Sequence, residues 1–182
     1  MQYYSLDKPL PAELSVREAL EAYLDENGFT TEEYDLDVVK VTFWGFTFSV
    51  PNPPSRKLAV RFHDLHHIMT GYGTDPVGEG EISAWELRKG IGVFGFYVQC
   101  IIFFGTLLGL LHSPRKISRA WGASKSSVSL PPVSFERYEH LLTLNLGELR
   151  ALYDVSPEGI AGRRTLNENA PPRPPEVDQS LP

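Results

Sequence analysis

Along most of the chain the apolar positions fall three and four residues apart, and in one stretch they alternate. Pro9 and Pro11 keep the start extended, and SVREALEAYLDEN then places Val16, Ala19, Leu20 and Leu24 on one helical face. Ser15 with Glu18 three residues on is a capping box at its start, and Gly28 closes it. From Val38 to Val50 valine, threonine, phenylalanine and tryptophan alternate around Trp44-Gly45, which predicts a β-hairpin. PNPPS ends the strand, since proline cannot join a ladder but is tolerated at a helix start. The helix begun at Pro53-Pro54-Ser55 runs to about Thr70 and stops at Gly71 or Gly73, packing Leu58, Leu65, Ile68 and Met69. Asp75-Pro76 repeats the start signal for a third helix.

Ile91 to Leu111 is uncharged throughout, and about 20 apolar residues suffice to span a bilayer. Gln99 inside it, and Gly105 and Gly109 at helix-packing spacing, leave three readings open: a buried core helix, the wall of a lipid channel, or a membrane span. SPRKISRAWGASKSSVSLPP reads as a basic, serine-rich loop, suited to solvent or to an anionic lipid surface. Ser134 to Leu144 and Asn145 to Tyr153 read as two short helices, the second capped by Asn145 with Glu148. The sum is a mainly α chain, a single-domain helical bundle with a small N-terminal β-hairpin. Residues 1–14 form an extended N-terminus, 15–166 the helical domain, and 167–182 a proline-rich tail expected to be disordered.

Composition narrows the function. With 182 residues and 42% hydrophobic content the chain can bury one full core. A net charge of -6 argues against nucleic acid as a partner, because phosphate neutralisation needs a concentrated basic surface. The charge is uneven, with no acid between Glu86 and Glu136 while Arg88, Lys89, Arg115, Lys116, Arg119 and Lys125 all lie there. Cys100 is the lone cysteine, so any metal must be held by nitrogen and oxygen. The first residues read as neither a signal nor a transit peptide, and the expected location is cytoplasmic, with peripheral membrane attachment left open.

The chemistry concentrates in HDLHHIMTGYGTDPVGE. On a helix His63 and His67 are one turn apart and face the same way, and with Asp64 they share an arc of about 100°. Glu79 joins them if the glycine-rich turn folds the third helix back on the second. Glu81 is an alternative to it, Glu86 a candidate for outer support, and His66 points to a neighbouring face. Two imidazoles and two carboxylates suit Zn²⁺, with Fe²⁺, Mn²⁺ and Co²⁺ compatible by donor type. Asp64 can be a ligand, a base or a support for the ligands. HDxxH also approaches the zincin HExxH, so a metallohydrolase stays in view. A phosphohydrolase of the HD type needs an earlier histidine, and His63 is the first in the chain.

Residues 51 to 87, PNPPSRKLAVRFHDLHHIMTGYGTDPVGEGEISAWEL, resemble the signature region of the coenzyme Q (ubiquinone) biosynthesis protein 4 family, H-D-x-x-H, eleven residues and a glutamate. His63, Asp64, His67 and Glu79 satisfy it. The resemblance implies an all-α fold, zinc held by those four residues, and a hydrophobic tunnel for a prenylated lipid or quinone precursor. It further implies work at a membrane surface beside other quinone-biosynthesis enzymes, and removal of a ring carboxylate at C1 with hydroxylation of that carbon. Glycine-rich helix faces add a homodimer to the expectations. A non-catalytic lipid-binding scaffold for a quinone-synthesis complex is the alternative that the same residues allow.

Overall fold

The computed structural model describes residues 10–43, 46–124 and 128–161. Among them are seven α-helices and one two-stranded antiparallel hairpin, so the molecule is mainly helical, as the residue pattern predicts. Helix α1, Val16–Asn27, carries the Ser15/Glu18 capping box and ends at Gly28 with φ 69°, a backbone angle that glycine adopts without strain. A 3-10 turn, Thr31–Asp35, follows and buries Tyr34. Strands β1, Val38–Phe43, and β2, Phe46–Pro51, pair with Phe43 opposite Phe46, while the Trp44-Gly45 connection lies outside the described residues. So do residues 1–9 and the proline-rich tail.

Helix α2, Pro54–Thr70, and helix α3, Pro76–Lys89, form the centre of the molecule. Proline opens each, Gly71 closes α2, and the Asp75 carboxylate accepts from the amides of Val77 and Gly78 at the start of α3. Helix α1 and the last helix, α7, Leu146–Leu152, pack on the outer side of α2. Arg150 of α7 is buried there and donates to the carbonyls of Met69, Leu10 and Pro157, tying the end of α2 to the chain's flanks. Helix α6, Phe135–Leu141, packs its buried Tyr138 against Phe62.

Two expectations need correction on the far side of α3. The uncharged run does not form one element: a 3-10 turn at Ile91–Val93 is followed by helix α4, Phe96–His112. Only a stripe of it, Val98, Ile102, Thr106 and Gly109, is buried, so it is not a core helix buried all round. Nor is any helix among the described residues long and apolar enough to cross a membrane. The basic, serine-rich stretch is a loop only in its second part, where residues 128–132 lie outside any helix or strand. Pro114–Ala123 is helix α5, which buries Ile117 and Ala120 at helical spacing while Arg115, Lys116 and Arg119 stay outside. Proline at its first position and that three-residue spacing outweigh the serines, whose helix penalty is small.

The α3–α4 contact is made almost backbone to backbone. A methyl group at Gly80 would sit 2.7 Å from the Cα of Gly109, and one at Gly105 would sit 2.6 Å from the Ser83 hydroxyl oxygen. These small residues let the two helices close to a distance that any side chain would forbid.

Candidate metal centre

Helical geometry supplies the first half of the site. His63 and His67 lie on one face of α2 with their Nε2 atoms 3.1 Å apart. The turn from Gly71 to Asp75 supplies the second half by folding α3 back, so that one Glu79 oxygen lies 3.3 Å from His63 Nε2 and the other 3.4 Å from His67 Nε2. The three residues form the one group among those described whose ligating atoms converge as a metal site would require.

Their far sides decide the protonation state. His67 Nδ1 lies 2.9 Å from the Tyr72 carbonyl, which only accepts, so Nδ1 carries the hydrogen and Nε2 the lone pair. His63 Nδ1 donates to Glu86 Oε1 at 3.0 Å, which turns its Nε2 toward His67 and Glu79. Two imidazole lone pairs facing each other at 3.1 Å repel unless a cation lies between them, either a proton or a metal ion. Donors about 2.0–2.1 Å from a tetrahedral zinc stand about 3.3 Å from one another. The two imidazole nitrogens, 3.1 Å apart, are spaced as two such donors, and each Glu79 oxygen lies at a similar distance from one of them, so the residues fit a divalent ion by donor type and spacing.

Glu86 is fully buried and serves two histidines, since His66 Nδ1 also reaches its Oε1, at 2.7 Å. Its other oxygen has no hydrogen-bond partner. Burial raises a carboxylate's proton affinity, but the His63 charge and the bonds from both histidines outweigh it and hold Glu86 at about 2. Glu79 is likewise lowered, burial being overcome by His67 and His63. His63 is the counterpart: burial disfavours its charge, yet Glu86 and Glu79 raise its pKa well above the ordinary value. His66 is lowered by burial and belongs to the packing around Trp85 and Tyr153.

Asp64 takes a different direction from the other three signature residues. Its carboxylate accepts from Tyr34 at 2.5 Å and from Tyr23 at 3.4 Å, and it is not among the converging atoms. Burial raises its pKa, and burial and the Asp64 charge raise those of both tyrosines, so the phenols stay protonated donors. Tyr23 also stacks on the His67 ring, with centroids 5.6 Å apart. The residue pattern did not single out these tyrosines. Tyr23 sits four residues after Ala19, on the apolar face of α1, and that was the available signal. Tyr34 gave none. Glu81, the alternative to Glu79, is buried on α3 outside the converging group.

The group opens on a cavity of about 630 Å³, within the usual range for small-molecule sites. His63, Asp64, Glu79 and Glu86 line it, together with the apolar Ala59 and Val60 of α2, Val98, Ile101 and Ile102 of α4, and Phe94 just before α4. Comparison with family models, with curated proteins and with solved structures finds no match to this chain.

Proposed function

We propose that the chain is a zinc-dependent enzyme acting on a prenylated aromatic acid, in the manner implied by its resemblance to the coenzyme Q biosynthesis protein 4 family. The observation that carries this is the convergence of His63 Nε2, His67 Nε2 and the Glu79 carboxylate beside a cavity with apolar lining. When bound, a divalent ion supplies Lewis acidity toward a ring oxygen or carboxylate, stabilising the charge that develops as carbon dioxide leaves. Glu86 and the Tyr72 carbonyl fix the two imidazoles so that both lone pairs aim inward. Asp64, held by two phenols beside the cavity, is placed to exchange a proton with the ring rather than to ligate. Zinc has no redox chemistry, so these residues account for loss of carbon dioxide with a proton taking its place on the ring, while hydroxylation of the same carbon would need dioxygen as oxidant together with a redox-active ion such as Fe²⁺, Mn²⁺ or Co²⁺.

The membrane is the proposed source of the substrate. Helix α4 turns Phe96, Phe103, Phe104, Leu107 and Leu111 outward, and Phe96 and Leu111 are 81% and 72% exposed. Helix α5, packed on α4, exposes Arg115, Lys116 and Arg119, which suits peripheral attachment to an anionic surface. The same face supports the scaffold reading, in which the lipid is held for partner enzymes without reaction.

Native mass spectrometry with metal analysis separates these readings. Wild-type protein should carry one divalent ion and turn over a prenylated hydroxybenzoate, and His67→Ala should lose both. Retained turnover in a metal-free variant sinks the enzyme reading. Stoichiometric metal without turnover on any prenylated acid favours the scaffold.

A further inference from the structure

Arg56 stands on α2 seven residues before His63, nearly the same face two turns away, about 10 Å along the axis. It lines the same cavity as His63 and Glu79, together with the apolar Phe94 and Val98. The other cations of this helix are neutralised: Lys57 pairs with Asp37 at 2.8 Å, and Arg61 with Asp35 at 3.0 Å. Among the described residues no acid stands within ion-pair distance of Arg56.

What it has instead is a clamp. Nη1 donates to Asn52 Oδ1 at 2.9 Å. Asn52 is 3% exposed, and its amide nitrogen is committed to the carbonyls of Tyr34 and Leu36, so its oxygen can only face the guanidinium. This fixes one prong of the fork of a side chain that lines the cavity, and its other donors have no hydrogen-bond partner among the described residues. A half-buried, oriented guanidinium without a counter-ion is a site for one planar anion, and a carboxylate matches its fork. Phosphate suits it less well, because Glu33, Asp64, Glu79 and Glu86 line the same cavity and repel a second negative charge.

We propose that Arg56 anchors the carboxylate of an amphipathic aromatic acid whose other oxygen faces the metal centre and whose apolar part lies along Val98 and Ile102. Arg56 is thereby the residue that selects the acid over its neutral analogues. This deepens the reading of the cavity given above and rests on it. A product that has lost its carboxylate loses this contact and is held less tightly than the substrate.

The test compares 3-farnesyl-4-hydroxybenzoate with its methyl ester by calorimetry, on zinc-loaded wild type, Arg56→Gln and Arg56→Lys. Wild type should bind the acid at least about tenfold tighter than the ester, since hydrogen bonds to charged groups contribute that much or more. Arg56→Gln should lose the preference while keeping its zinc and its affinity for the ester, and Arg56→Lys should recover part of it. An unchanged preference in Arg56→Gln overturns the assignment, as does equal weakening of both probes, which marks a packing role. If Arg56→Gln fails to fold, the wild-type ratio and Arg56→Lys decide: equal affinity for acid and ester in wild type, or full preference retained in Arg56→Lys, sinks the anchor. Binding of the ester without preference for the acid removes the anchor but leaves the lipid reading standing. Binding of neither probe removes both.

Discussion

Helices α2 and α4 are both 17 residues long, and they invert the ordinary relation between composition and burial. Helix α2 contains seven charged or histidine side chains, yet Asp64, His66, His67 and Thr70 are all buried. Helix α4 has no acid, lysine or arginine, yet Phe96, Phe103, Phe104, Leu107 and Leu111 face outward. A buried polar group is costly unless bonded, and each on α2 has its partner: Tyr34 for Asp64, Glu86 for His66, the Tyr72 carbonyl for His67. Contiguous apolar surface outside marks contact with something else. The lesson is that composition alone does not assign a helix its environment: bonded partners bury the polar groups of α2, and the apolar face of α4 is left outside.

The contrast can be broken first at α2's support. Glu86→Gln removes the charge that orients His63 and should weaken zinc affinity by roughly 10–100-fold, measured by competition with a chelator. Wild-type affinity in that variant would show that His63 needs no such partner. Next in size is the joint between the two helical pairs. Gly80→Ala drives a methyl group against Gly109 and should cost about 1–3 kcal/mol in denaturant unfolding, whereas Gly122→Ala, with open space around it, should cost far less.

A pH series sharpens the comparison further. His63 has a raised folded pKa, so its contribution in the metal-free chain is full below 6.5 and is lost as pH rises through that higher value. Glu79 and Glu86 are lowered, so theirs is full above 4.5 and is lost on acidification. Zinc needs His63 deprotonated. The gap in unfolding midpoint between zinc-loaded and metal-free protein should therefore widen from pH 6 to pH 8, and a constant gap would place zinc elsewhere. The smallest stability effect is expected on α4. Phe103→Ser with Phe104→Ser should change stability by about 0.5 kcal/mol or less per site, while binding to anionic vesicles falls in a sedimentation assay. Unchanged vesicle binding would assign that face to a protein partner.

The parts of this arrangement that could be read from the chain are those fixed by neighbours in sequence. Capping pairs such as Ser15 with Glu18 and Asn145 with Glu148 work within one turn, and Asp75-Pro76 and Gly71 bound their helices by local backbone preference. His63 and His67 were legible for the same reason, because helix pitch alone places them together. The position of Glu79 needed only a short turn. Tyr34 and Tyr23 reach Asp64 across 30 and 41 residues, and no local rule carries that information. Helix α5 was obscured because its serines suggest a loop, while its burial depends on a groove that exists only after α3 and α4 have met.

The contact between Gly80 and Gly109 has a mechanical consequence. Gly80 adjoins Glu79, and where backbone meets backbone there is no compliant side chain to absorb a displacement. Helices α3 and α4 therefore move as one body that carries the outward apolar face of α4 along its length and Glu79 beside the joint. A displacement of that apolar face is carried to Glu79.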